Sequence, residues 1–248
     1  MIVRDSDSDL LTPTGPMRTY VYEPGAGRPD RRFPGLLLYS EIFQQTAPIR
    51  RLAVQFAGHG FLVMVPEIFH EHEPPGTVLG YDDEGKAKGN RYKTATALAS
   101  YDADARAVLD ALQTHPSCSG RLGSVGFCIG GHLAFRAALD PRVLAACCFY
   151  GTDLHSGTLG AGKDADTLRR AAEIRGELRM IWGRQDPHTP WEGRVVIHEA
   201  LERAGGRYTW HELEAEHAFL RDEGPRHDPA AARLGIALAL ELFQRVLG

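Results

Sequence analysis

"LGSVGFCIGGHLAF", residues 122–135, carries one apolar run into a glycine-bracketed cysteine and out into a second apolar run. Glycine is unfavourable inside strands and helices alike, so Gly126, Gly130 and Gly131 around Cys128 mark a place where side chains are excluded. Two readings compete. The stretch is either a tight turn that packing requires, or strand, sharp turn and helix with the thiol presented at the apex. The second is the nucleophile-elbow pattern G-x-S-x-G with cysteine in place of serine. Bulk at Gly126 or Gly130 would collide as strand and helix pass, and the helix N-terminus behind Cys128 favours a thiolate and an oxyanion. A dinucleotide fingerprint needs G-x-G-x-x-G, a spacing that residues 126–131 lack.

The neighbouring segments tell which architecture holds that turn. Apolar runs recur at 34–40, 61–66, 122–127, 143–151, 178–183 and 208–214, most of them continuous rather than alternating. Continuous hydrophobicity is the mark of parallel strands covered on both faces. "MRTYVYEP", 17–24, alternates and reads as an outer antiparallel strand. Helical spacing links Tyr101 to Ala105, Val108, Leu109 and Leu112, and a second helix is expected over about 46–57 with Ile49, Leu52, Ala53 and Phe56 inward. A third covers about 191–204 and stops at Gly205-Gly206, and a last one carries Leu234, Leu238, Leu242 and Val246. Strands alternating with helices give an α/β fold with a mostly parallel sheet and helices on both faces. No repeat or linker divides the chain, so residues 1–248 are read as one domain, with 66–93 as a long irregular loop.

Bulk properties narrow the function classes. At 248 residues, with 43% hydrophobic and 24% charged residues, the chain has the balance of a globular protein with a sizeable core. A net charge of −4 gives no reason to expect nucleic acid or an anionic membrane as a partner. The start lacks a signal-peptide core and no segment is long and apolar enough to span a bilayer, so a cytoplasmic address is expected. Cys118, Cys128, Cys147 and Cys148 form neither a disulfide framework nor a CxxC metal site, and Cys147-Cys148 read as small core residues. "HEHE", 70–73, lacks a third ligand at metal spacing and reads as a polar loop.

An elbow nucleophile requires an acid and then a histidine downstream, each just after a strand. "LRMIWGRQDPHTP" places Asp186 there, and "YTWHELEAEHAFLRD" places His217. In that arrangement His217 exchanges the thiol proton while Asp186 holds the imidazole tautomer. His188, His211 and His227 are rival histidines, and Glu214 and Glu216 rival acids.

At this point the chain resembles the dienelactone hydrolase family of α/β-hydrolases, from about Pro34 to the end. "GFCIGG" resembles its cysteine elbow, "GRQDPHTP" its acid loop, "EHAFLR" its histidine loop and "SEIF" (40–43) its glutamate segment. The resemblance implies a hydrolase of a small ester or lactone that works without a cofactor or metal, as a monomer or small homo-oligomer. It implies that Glu41 contacts the cysteine and takes part in thiol activation, and that Arg221 pairs with Glu41 and helps bind a substrate carboxylate. It also implies an oxyanion hole from the N–H groups of Ile42 and Ile129. The chain departs from the family in two places. Glu216 stands where a glycine is common, and the second substrate-binding arginine has no clear counterpart, with Lys86, Lys88 and Arg91 as candidates. Alternative readings are a ligand-binding or sensor protein on the same fold with little turnover, and a thiol redox protein with Cys118 as the second sulfur.

Overall fold

The computed structural model describes residues 2–25 and 31–248. Eight strands form one sheet: β1 (Val3–Thr12), β2 (Gly15–Pro24), β3 (Phe33–Tyr39), β4 (Leu62–Pro66), β5 (Cys118–Phe127), β6 (Val143–Phe149), β7 (Glu177–Gly183) and β8 (Arg207–Leu213). Their spatial order is β1-β2-β4-β3-β5-β6-β7-β8. β1, β2 and β4 pair antiparallel, and every pairing from β4 through β3 to β8 is parallel. The continuous apolar runs therefore lie where the sheet is covered on both sides. Leu37 and Cys148 point into one layer of core, and Leu36, Leu38 and Cys147 into the other.

Among the described residues six α-helices supply the cover: α1 (Ala47–Gly58), α2 (Asp83–Ala95), α3 (Leu98–Thr114), α4 (Ile129–Ala137), α5 (Trp191–Ala204) and α6 (Pro229–Leu247). α1 and α6 pack together on one face, where Phe56 and Phe243 meet edge-on at 6.1 Å. Val108 and Leu112 of α3 and Ile197 and Leu201 of α5 fill the other face. α5 ends at Gly205, whose φ of +64° makes the left-handed cap its sequence suggests. In α6, Leu234 is 48% exposed while Gly235, Ala239, Leu242 and Phe243 are buried. A strict four-residue stripe drifts about 40° per step around a helix of 3.6 residues per turn, so Leu234 has rotated out of the face that Leu242 holds.

Two elements differ from the sequence reading. β1 reads as neither strand nor helix because "VRDSDSDLLT" offers no apolar face; it is an edge strand, exposed along most of its length. Within the expected 66–93 loop, only the first part is irregular. It is pinned by Glu67, which accepts from the Tyr20 hydroxyl at 2.7 Å and the Gly76 N–H at 2.9 Å. The remainder is α2. Asp82 caps it by accepting the Gly85 N–H at 2.8 Å, yet its only buried residues are Gly85 and Gly89. A helix seated through glycines has no apolar stripe to read.

This seating has a measurable consequence. A Cβ at Gly89 would stand 2.5 Å from the Ile42 carbonyl oxygen and 2.8 Å from Ile42 Cβ. Overpacking costs about 1–3 kcal/mol, against roughly 1 kcal/mol gained in helix propensity. Gly89→Ala is therefore expected to lower the urea midpoint, and Gly89→Val to lower it further. Unchanged midpoints would mean that α2 does not rest on Ile42. Among the described residues no helix is long and apolar enough to cross a membrane.

Candidate active site

The carboxyl ends of neighbouring strands converge. Glu41 follows β3, Cys128 follows β5, Asp186 follows β7 and His217 follows β8. Ligands of parallel α/β sheets sit at this edge.

The turn from β5 to α4 is built on absent side chains. A Cβ on Gly126 would fall inside the Gly130 carbonyl, and one on Gly130 would lie 2.5 Å from the Ser40 carbonyl oxygen. Cys128 between them has φ +61° and ψ −122°, a conformation L-residues rarely adopt. Its N–H donates to the Phe149 carbonyl at 3.2 Å, and its own carbonyl accepts from Gly131 at 3.0 Å and Thr152 at 3.2 Å. The strained residue is thus held by both neighbouring elements, and its side chain faces a cavity of about 120 Å³.

The acid and histidine loops are tied to each other. Arg184 N–H donates to the Leu213 carbonyl at 2.8 Å and Gln185 N–H to the Ala215 carbonyl at 3.0 Å. Held so, Asp186 uses both carboxylate oxygens: Oδ1 accepts the His188 N–H at 2.8 Å, and Oδ2 lies 2.7 Å from His217 Nδ1. Both side chains are buried. That contact leaves His217 Nε2 as the ring nitrogen that meets Cys128. Burial disfavours the imidazolium, but the Cys128 sulfur and the Asp186 carboxylate outweigh it and lift the pKa of His217 to about 10.

The backbone N–H groups of Ile42 and Ile129 donate to no protein acceptor among the described residues. Ile129 is the first residue of α4, where a helix leaves its N–H groups unpaired. Ile42 borders the cavity with Cys128.

Glu41 and Arg221 come together, with Nη1 to Oε2 at 3.6 Å and both side chains largely buried. Burial raises the Glu41 carboxyl pKa above its ordinary value, opposed by Arg221, His217 and Arg226. The Arg221 guanidinium is further held over the Tyr81 ring at 4.4 Å and the Phe43 ring at 5.6 Å. Tyr81 anchors its hydroxyl on Thr46 Oγ1 at 2.9 Å.

The second basic group is where the sequence reading runs out. Lys88 pairs with Glu84 on the surface and Arg91 lies over Tyr92, so neither borders the cavity. Lys86 does border it, together with Asn90 and Lys93 from the same α2 face at i, i+4 and i+7. Lys93 is paired with Asp153 at 2.8 Å. Arg226 also lines the cavity, from a loop whose sequence carries no signal for it.

The rivals fall elsewhere or play other parts. Glu214 pairs with Arg184 at the surface, and Glu216 is exposed. His227 Nδ1 bonds the Phe219 carbonyl at 3.0 Å. His211 lies within β8. His188 does reach the cavity, its ring 4.5 Å from that of His217. In "HEHE", His70 pairs with buried Asp104 at 3.2 Å and His72 stacks on Tyr92 at 4.8 Å. Cys118 and Cys128 lie at opposite ends of β5, on the order of 30 Å apart at the rise of a ten-residue strand. Cys147 and Cys148 are buried within β6.

A mostly parallel sheet with a strained residue at a strand–helix elbow, followed by acid and histidine loops, defines an α/β-hydrolase fold. The sequence profile of the dienelactone hydrolase family matches residues 17–247. A Saccharomyces cerevisiae protein named "Putative carboxymethylenebutenolidase" is 42% identical over 256 residues, covering 100% of this chain and 93% of that one. A Pseudomonas sp. carboxymethylenebutenolidase is 27% identical over 215 residues, covering 87% and 86%. The crystal structure of a Klebsiella pneumoniae "Putative Dienelactone Hydrolase" has a TM-score of 0.85 at 22% identity, covering 99% of this chain and 100% of that one, a likeness of fold. The chain belongs to the dienelactone hydrolase family.

The electrostatics predict a titration. The imidazolium of His217 should persist to about pH 10 in the wild type. Cys128→Ala removes the larger of the two influences that raise the pKa and leaves burial in place, so the imidazole proton signals should titrate at lower pH by NMR. A His217 pKa unmoved by loss of the thiol would mean that the two side chains do not share charge.

Proposed function

We propose that the protein hydrolyses a small ester or lactone through Cys128, His217 and Asp186. The observation that carries the proposal is the convergence on one small cavity of a strained cysteine, an Asp-bonded histidine and Ile42, whose backbone N–H is unpaired among the described residues. The carboxymethylenebutenolidase names of relatives point to an enol lactone bearing a carboxylate, and the cations around the cavity suit one. A volume of about 120 Å³ limits the substrate to a compact molecule, since pockets for drug-sized ligands run to roughly 300–1,000 Å³.

In this mechanism the Cys128 proton rests on His217 as the imidazolium, and the thiolate attacks the carbonyl carbon. The N–H groups of Ile42 and Ile129 hydrogen-bond the developing oxyanion. As the tetrahedral intermediate collapses, His217 returns the proton to the leaving oxygen, and the acyl group remains on sulfur. Acylation removes the thiolate charge that had raised the His217 pKa. The imidazole, still oriented by Asp186, then becomes a competent base for the incoming water. Water adds, the thiol is released and the free acid departs. Glu41 and Arg221 link the two ends of this scheme, with Arg221 meeting the substrate carboxylate and Glu41 meeting the thiol.

Cys128→Ala should abolish turnover of carboxymethylenebutenolide and of 4-nitrophenyl acetate while leaving thermal unfolding nearly unchanged, and iodoacetamide should label the wild type once, at this residue. More than a tenth of wild-type activity in the alanine variant would overturn the assignment. Asp186→Asn permits the wrong tautomer and should cost up to about 10⁴ in kcat; a far larger loss in Glu214→Gln would assign the acid there instead.

Glu41→Gln and Arg221→Met each leave a buried charge without its partner, at about 3–5 kcal/mol. The double variant should recover part of that stability but no activity. Arg221→Met should also impair the carboxylated lactone more than the neutral ester. Additive stability losses together with equal kinetic losses would rule out both the pairing and the anchoring role.

A further inference from the structure

The cavity beside Cys128 is a basic spot on an acidic chain. The chain carries a net charge of −4, yet Lys86, Lys93, Arg221 and Arg226 border the cavity against the single carboxylate of Glu41. Three of these cations have carboxylate partners. Arg221 has Glu41 at 3.6 Å, Lys93 has Asp153 at 2.8 Å, and Lys86 has Asp83 at 3.1 Å. Arg226 has none. Among the described residues its guanidinium makes no ion pair, no side-chain hydrogen bond and no contact over an aromatic ring.

The loop that carries Arg226 is held in place without it. Arg51 of α1 donates to Asp222 at 2.6 and 2.7 Å and to Glu223 at 2.7 Å. The Phe219 carbonyl accepts the Asp228 N–H at 3.1 Å and lies 3.0 Å from His227 Nδ1. Asp228 in turn caps α6, accepting the N–H groups of Ala230 and Ala231 at 2.9 Å. Arg226, partly buried, is thus placed on the cavity wall by its neighbours. Its charge is felt there. Burial raises the Glu41 pKa, and Arg226 is among the cations that oppose the rise; burial lowers that of His188, and His217 and Arg226 lower it further. A partly desolvated cation that no protein group neutralises favours an anion from outside.

The hydrolase reading, on which the chemistry of this inference rests, supplies a second anion. The substrate carboxylate meets Arg221. When the acyl-enzyme is hydrolysed, the hydroxyl of water adds to the acyl carbon and the carbon–sulfur bond breaks. The remaining proton restores the imidazolium of His217 beside the Cys128 thiolate. The new carboxylic acid ionises at neutral pH, losing its proton to solvent. A second carboxylate therefore arises next to a thiolate, where like charges repel. A guanidinium offers a planar fork of N–H donors that matches a carboxylate. We infer that Arg226 is a specificity-determining residue that binds a second carboxylate on the ligand, so that the cavity prefers compact dicarboxylates, the class of the ring-opened product, over monocarboxylates of the same length.

Calorimetric titration with succinate and with butyrate reads binding without turnover. The two acids have the same number of carbons and differ by one carboxylate, and both are saturated, so Cys128 cannot add to them. At low ionic strength the wild type should bind succinate about tenfold to a hundredfold more tightly than butyrate, as one added charge-assisted hydrogen bond allows. Arg226→Met should abolish that preference, and Arg226→Lys, which keeps the charge and loses the fork, should restore part of it. The preference should shrink as salt is raised. The melting temperature of Arg226→Met should match that of the wild type, because no internal pair is lost.

Equal affinity of the wild type for the two acids would overturn the inference. So would a succinate preference that survives in Arg226→Met, and its loss in Lys86→Met would assign the second carboxylate to α2 instead. A fall in melting temperature in Arg226→Met, restored by lysine, would give Arg226 to the fold and likewise overturn it. Turnover of carboxymethylenebutenolide that depends on Cys128, alongside equal affinities, would remove only the Arg226 assignment. A succinate preference lost in Arg226→Met, in a protein that hydrolyses neither lactone nor ester, would overturn the hydrolase reading and leave the dicarboxylate site standing.

Discussion

The approach of the end of β5 to the start of α4 is the constraint around which the rest is arranged. Gly126 and Gly130 touch each other's backbone, and Gly130 also lies against the chain leaving β3. No side chain fits between them, so the start of the helix lies close against the sheet edge, with Cys128 at its N-cap bordering the cavity. Cys128 is forced to positive φ as a result. The cost of that conformation, about 1–3 kcal/mol, is offset by hydrogen bonds from its peptide to Phe149, Gly131 and Thr152. Strain here is a property of the scaffold rather than of the cysteine alone.

Around that fixed point the charged groups are organised by burial. Asp186 and His217 are positioned by loops that bond each other's backbone, so their 2.7 Å contact follows from the pairing of β7 with β8. Glu41 and Arg221 are both largely buried, at 3.6 Å, with the guanidinium held between Tyr81 and Phe43. Such a pair is poorly suited to stabilising the fold and well suited to responding when another carboxylate competes for the arginine. The coupling of His217 to the Cys128 charge has the same character. In the proposed mechanism acylation itself changes the basicity of the residue that must act next.

α2 shows a different division of labour. Its apolar contribution is limited to Tyr92, which packs against Phe69, and it is seated by glycine contacts while Lys86, Asn90 and Lys93 face the cavity. A helix freed from core duty can present a polar face to the cavity and can change its side chains without disturbing the sheet.

Much of this was legible in the sequence. Continuous apolar runs announced buried parallel strands, because residues covered on both faces have no polar side to show. The glycines around Cys128 announced the elbow, because steric exclusion leaves no other residue. The order of Asp186 and His217 after their strands followed from the same architecture. What tertiary structure alone decided are the features with no local signature. β1 is held by pairing with β2, not by an apolar face. α2 is helical because glycines allow it to lie on Ile42, which periodicity does not record. Arg226 enters the cavity by the path of its loop, and Leu234 leaves the core through the drift of a four-residue stripe on a helix of 3.6 residues per turn. Sequence determines what must be buried and where side chains are forbidden, because those are properties of single residues and short periods. Which polar groups face one another depends on distances between segments far apart in the chain, and only the folded sheet sets those.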